Sequence, residues 1–130
     1  MQISKFTDYA FRALIYLGSH QERLCTVEEL SRELETSAHH MKKVIHRLSV
    51  LGYVEGLKGR SGGLRLAQKP GEINLGEVLK NTEENLNLYE CFYENGCPLL
   101  RGGCKLKSIT YLALQRFLQE YSHHTLEELL

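Results

Sequence analysis

Residues 37–66 read SAHHMKKVIHRLSVLGYVEGLKGRSGGLRL, a helical pattern followed at once by a hairpin pattern. Ser37 is placed to cap a helix in which Met41, Val44, Ile45, Leu48 and Leu51 fall on one face, with Gly52 as the residue that ends it. The opposite face then carries His39, His40, Lys42, Lys43, His46 and Arg47. Beyond Gly52, Tyr53–Leu57 and Leu64–Leu66 read as two short strands joined by the glycine-rich basic tip Lys58–Gly63. Taken singly, such a helix is an ordinary solvated surface and such a loop is an ordinary turn. In sequence they describe a recognition helix followed by a wing, and they predict DNA binding. The tip is not a nucleotide cradle, because neither the phosphate-loop pattern nor dinucleotide-binding spacing is present.

Upstream, Phe6, Tyr9, Ala10, Ala13, Leu14 and Leu17 recur at helical spacing, and Gly18 is expected to end that first helix. Thr26-Val27-Glu28-Glu29 is a capping box that opens a short second helix through Leu30 and Leu34. Two short helices before the basic one complete a helix-turn-helix. Downstream, Asn74-Leu75-Gly76-Glu77 opens a fourth helix and Thr125-Leu126-Glu127-Glu128 a short terminal one. Between them Leu106, Ile109, Leu112, Ala113, Leu114, Phe117, Leu118 and Tyr121 belong to a long helix, apolar on more faces than one domain can cover. A second subunit is the expected cover. The fold class is therefore mainly α with a small β-hairpin: a winged helix-turn-helix over residues 1–70, and a cysteine loop with a dimerisation helix over 71–130.

Charge follows the same division. The chain has 130 residues, with 16 Lys and Arg balancing 16 Asp and Glu, and taken alone that average argues against a nucleic-acid partner. Position reverses it. Residues 37–69 hold seven basic groups, Lys42, Lys43, Arg47, Lys58, Arg60, Arg65 and Lys69, against Glu55 alone, while both flanks are net acidic. The basic block predicts His39, His40 and Lys43 as base readers, Lys42 and Arg47 on phosphate, and Arg60 reaching into the minor groove between Lys58 and Arg65. No apolar run is long enough for a membrane span, and no secretory or lipidation signal is visible. A cytoplasmic protein without membrane partners is expected. A set of acid, base and nucleophile that would suggest an enzyme is missing as well.

Cys91, Cys97 and Cys104 lie in CFYENGCPLLRGGC, whose Asn-Gly, Cys-Pro and Gly-Gly steps turn the chain so that three thiolates can surround one centre. The gaps are longer than the paired spacing of a zinc ribbon, and an iron-sulfur cluster with a fourth ligand from elsewhere suits three cysteines better. Zinc, a thiol switch and buried unliganded cysteines stay open on spacing alone. Cys25, directly before the second helix, reads as a small buried hydrophobe.

FTDYAFRALIYL at 6–17, the helix-turn-helix, GRSGGLRL at 59–66 and the cysteine triplet occur in one order. In this the chain resembles a bacterial family of winged-helix repressors that includes nitric-oxide sensors and the cluster-assembly regulator IscR. The resemblance implies a homodimer on a palindromic operator in double-stranded DNA, joined through the long helices, with an iron-sulfur cluster in each subunit's loop. In IscR-like members a histidine three residues after the last cysteine completes a 2Fe-2S site, and here that position is Lys107. In the nitric-oxide-sensing members an aspartate near the partner's N-terminus can hold a 4Fe-4S cluster, and the matching residue is Asp8 of the partner subunit. The expected cofactor is thus 4Fe-4S ahead of 2Fe-2S, and the expected effector is nitric oxide. An IscR-like sensor of cluster supply or redox state, or a zinc or thiol switch on the same fold, is the alternative. Without the resemblance Asp8 is a first-turn acid paired with Arg12.

Overall fold

A computed structural model describes residues 1–89 and 103–130. Its elements are α1 (Lys5–Ser19), α2 (Val27–Glu33), α3 (Ala38–Val50), β1 (Val54–Leu57), β2 (Gly63–Leu66), α4 (Leu75–Thr82) and α5 (Lys105–Ser122). Short 3₁₀ turns add Pro70–Glu72 and Leu126–Leu129. The element order is that of a winged helix-turn-helix extended by a long C-terminal helix.

Local chemistry sets most boundaries. Ser4, Thr26, Ser37 and Asn74 each accept a hydrogen bond from the backbone N–H three residues on, and the Thr26–Glu29 box is reciprocal. α3 ends in a Schellman motif: Gly52, at φ +80°, donates to Ser49 O at 3.0 Å and Tyr53 donates to Leu48 O at 2.9 Å. The wing pairs antiparallel from Val54 with Leu66 to Leu57 with Gly63. Gly62 has no room for a side chain, since a Cβ there would lie 2.2 Å from Leu57 O. Cys25 adds a bridge to β2, donating to Leu64 O at 3.0 Å and accepting from Leu64 N at 2.7 Å, and its side chain is fully buried.

Gly18 does not end the first helix. It lies buried inside α1, where the Leu130 side chain comes within 2.9 Å of the position of a Cβ, so its smallness serves a tertiary contact and α1 runs on to Ser19. The terminal helix expected after Thr125 is a 3₁₀ turn, with the expected capping box at its start.

Ala10, Ala13, Leu14 and Leu17 of α1 meet Leu30, Met41, Val44, Ile45 and Leu48 in one core, which Ile73, Val78 and Leu126 from the C-terminal half join. Within the C-terminal half, Leu126 N–H donates to Ile73 O at 2.9 Å and Leu75 N–H to His124 O at 3.0 Å, which ties the chain end to the start of α4. α4 lies against the end of α5, where Gly76 would place a Cβ 2.8 Å from the backbone of Ser122. α5 itself is mostly uncovered: Leu106, Ile109 and Leu112, recurring every third residue, are 55%, 63% and 57% exposed. Among the described residues no helix is long and apolar enough to cross a membrane.

Candidate functional site

The apolar stripe of α3 is buried, and this fixes what the helix offers outward. His39, Lys42, Lys43, His46 and Arg47 are exposed, as are Lys58, Arg60 and Arg65 of the wing. Among the described residues Lys42, Lys43, Lys58 and Arg60 make no ion pair, so their charge is available to a polyanion. Arg65 is engaged: its Nε lies 2.5 Å from Glu55 Oε1 across the hairpin.

Two expected DNA contacts have other partners. His40 packs its ring edge-on to Tyr9 and Phe6, with centroids at 5.3 and 6.4 Å, and its Nε2 is buried with no hydrogen-bond partner among the described residues. Aromatic packing against α1 therefore takes His40 off the surface that His39 and Lys43 share. Arg47 donates from Nε and Nη2 to the carbonyl of Asn81, at 3.3 and 3.1 Å, in the last turn of α4. Sequence reasoning could not find this partner, which lies 34 residues away.

Of the expected metal ligands, Cys91 and Cys97 lie outside the described residues. Cys104 is the N-cap residue of α5, partly exposed, and its thiol caps no backbone N–H. A thiol at a helix N-terminus, where the peptide dipoles favour negative charge, suits a metal-bound thiolate. Asp8 sits in the first turn of α1 and binds Arg12 Nε through Oδ1 at 2.9 Å, as expected from the i, i+4 spacing. The carboxylate has a second oxygen to offer. It lines an open groove of about 910 Å³ between α1 and the end of α5, shared with Phe11, Glu120, Tyr121 and His124, and so can be reached from outside its own subunit. Among the described residues no three His, Cys, Asp or Glu side chains converge to hold a metal within one chain. The donors present fit an iron-sulfur group only if the cysteine loop supplies thiolates and the last ligand comes from elsewhere.

Comparison with known proteins agrees with this architecture. The chain is 42% identical to the HTH-type transcriptional regulator NsrR of Shouchella clausii over 99% of its own length and 88% of that protein's. It is 37% identical to NsrR of Bacillus subtilis, over 99% and 90%. Among solved structures it superposes on T. potens IscR with a TM-score of 0.77 at 19% identity, covering 98% of this chain and 84% of the other. It superposes on CymR, the global cysteine regulator of B. subtilis, with a TM-score of 0.76 at 21% identity, covering 99% and 95%. The two NsrR proteins are named as HTH-type transcriptional regulators, and the chain is a regulator rather than an enzyme. Residues 3–130 match the Rrf2 model, described as an iron-dependent transcriptional regulator, and the chain belongs to the Rrf2 family.

Proposed function

We propose that this protein is a homodimeric DNA-binding repressor of the bacterial cytoplasm whose affinity for a palindromic operator is set by an iron-sulfur cluster sensitive to nitric oxide. The observation that carries the DNA half is the cationic surface of α3 and the wing, where Lys42, Lys43, Lys58 and Arg60 make no ion pair among the described residues, set on a buried apolar stripe. His39 and Lys43 face bases, Lys42 and Lys58 take phosphates, and Arg60 enters the minor groove with the glycine-rich tip. Arg65 joins them when Glu55 releases it. In this reading residues 1–70 bind DNA, and residues 71–130 hold the cluster and the dimer contact. The exposed Leu106, Ile109 and Leu112 give that contact its apolar surface.

Cys91, Cys97 and Cys104 would hold the cluster, with Asp8 of the partner subunit as fourth ligand, and 4Fe-4S suits that set better than 2Fe-2S. Lys107 stands where a histidine would be needed, and an ammonium group is not a ligand. When bound, the cluster would supply an iron more open to nitric oxide where a carboxylate, harder than thiolate, holds it. The chain's own part is to place two recognition helices one operator turn apart, and releasing Asp8 changes that placement.

Anaerobic purification tests this. A brown protein with iron and sulfide is expected, and Ser at Cys91, Cys97 or Cys104 should abolish its visible absorption. Full retention of that absorption sinks the loop assignment, and a colourless protein containing zinc favours the zinc switch. Asp8→Ala should alter cluster lability or nitric oxide sensitivity, and no change in either removes Asp8 from the ligand set.

A further inference from the structure

Two contacts meet where α4 ends. Arg47 of the recognition helix holds the Asn81 carbonyl through two donors, at 3.3 and 3.1 Å. Two residues on, Glu83 leaves the helix in extended conformation, and its Oε2 accepts from Ser4 N at 3.1 Å and Ser4 Oγ at 3.0 Å. Ser4 is the N-cap of α1, the helix whose first turn carries Asp8. On either side of Asp8, Phe6 and Tyr9 press on His40 at the start of α3. The segment that leads towards the cysteine loop is thus bonded to both the recognition helix and α1, whose Asp8 would serve the cluster of the other subunit.

We propose that Arg47 and Glu83 are positioning residues, which couple the cysteine segment to the recognition helix through Asn81 and to the Asp8 turn through Ser4. This rests on the cluster-controlled repressor reading and adds to it a route inside one subunit, besides any change at the dimer contact. The geometry suits a coupler. Arg47 engages a carbonyl at the C-terminal end of α4, where helix carbonyls lack intrahelical donors, so a shift of that end pulls directly on α3. Glu83 offers a charged acceptor to two donors on one residue, a stronger tie than a neutral pair. Polar contacts of this kind transmit displacement without adding to the apolar core, and their loss leaves that core in place.

The test uses the full-length protein, loaded with cluster under anaerobic conditions and freed of it by chelation. The readouts are visible absorption, operator Kd in both states, and hydrogen exchange of the α3 amides. In wild type the two Kd values should differ, and exchange in α3 should change with cluster loss. Glu83→Ala, which removes the acceptor, and Arg47→Lys, which keeps the charge but not the forked donors, should retain the absorption. Both should shrink the ratio of the two Kd values tenfold or more and make α3 exchange insensitive to the cluster. Glu83→Gln, which keeps an oxygen acceptor, should fall between wild type and Glu83→Ala. A wild-type ratio in both Glu83→Ala and Arg47→Lys overturns the coupling. So does an Arg47→Lys effect confined to a weaker salt dependence, which makes Arg47 a phosphate contact. A wild-type protein whose operator affinity ignores the cluster overturns the repressor reading itself, and the proposal with it.

Discussion

Replacing Lys58 and Arg60 together by Gln is the sharpest probe of the wing. Both are exposed, and among the described residues neither pairs with a carboxylate, so the change leaves the packed structure alone and its effect on stability should stay within about 0.5 kcal/mol. The effect on DNA can be worked from the surface. Lys42, Lys43, Lys58 and Arg60, which make no ion pair among the described residues, give eight cations in the proposed dimer. A cation held in a groove displaces counterions as one on a phosphate does, so with all eight neutralising backbone charge log K falls against log salt with a slope of about −7, at about −0.9 for each charge. Raising salt from about 50 to about 200 mM then weakens operator binding about 10⁴-fold. The double variant keeps four, so the slope falls to about −3.6 and the same salt step weakens binding only about 10²-fold. Fluorescence anisotropy with a labelled operator at five or more salt concentrations measures both slopes. A double-variant slope within about one unit of wild type would show that the wing does not touch the backbone, and the reasoning fails.

Other consequences follow from particular contacts. Gly76→Ala drives a Cβ to 2.0 Å from Ser122 Oγ and 2.8 Å from Ser122 Cα, so it should destabilise the chain by about 2–3 kcal/mol in urea unfolding. Ser122→Ala should not rescue it, because the backbone clash remains; full rescue would show that only the hydroxyl was in the way. Glu29 is held down to about 2 by hydrogen bonds from Arg23 and then Tyr16. A lowered carboxyl stabilises the fold above its unfolded value of 4.5 and loses that contribution as pH falls towards about 2. Glu29→Gln should therefore flatten acid unfolding across that window by about 1–2 kcal/mol after solvent screening, and an unchanged acid limb would contradict it. His124 is raised by hydrogen bonds to Glu128 and then Glu120. Its contribution is complete below 6.5 and is lost as pH rises through the raised value, so amide exchange at Leu126–Leu129 should quicken from pH 6 to 9 in wild type. In His124→Gln, after correction for intrinsic rates, that dependence should vanish.

What was legible in the sequence was local. Ser37 and Gly52 bracket α3 because a cap and a Schellman glycine act within four residues of the backbone groups they satisfy. The buried stripe follows from period, and the cationic face follows by subtraction. The Thr26–Glu29 and Thr125–Glu128 boxes were readable for the same reason. What was not legible depends on partners far along the chain. By sequence Gly18 is a stop, whereas in the fold the Leu130 side chain packs against it inside α1. His40 and Arg47 sit in the basic run by spacing, yet Phe6 and Tyr9 take one and Asn81 the other. The tie from Glu83 to Ser4 spans 79 residues and has no local signature. The proposed ligands divide likewise: Cys104 at its helix start and the Asp8–Arg12 pair are local features. A fourth ligand from a second subunit would be a property of the assembly.

In the proposed function one event in the cysteine segment governs operator binding. The decisive experiment titrates anaerobic protein on labelled operator with nitric oxide while visible absorption and anisotropy are followed together. Cluster absorption and operator occupancy should fall in step over the same range of nitric oxide per cluster. Operator occupancy that persists after the cluster absorption is gone would contradict it.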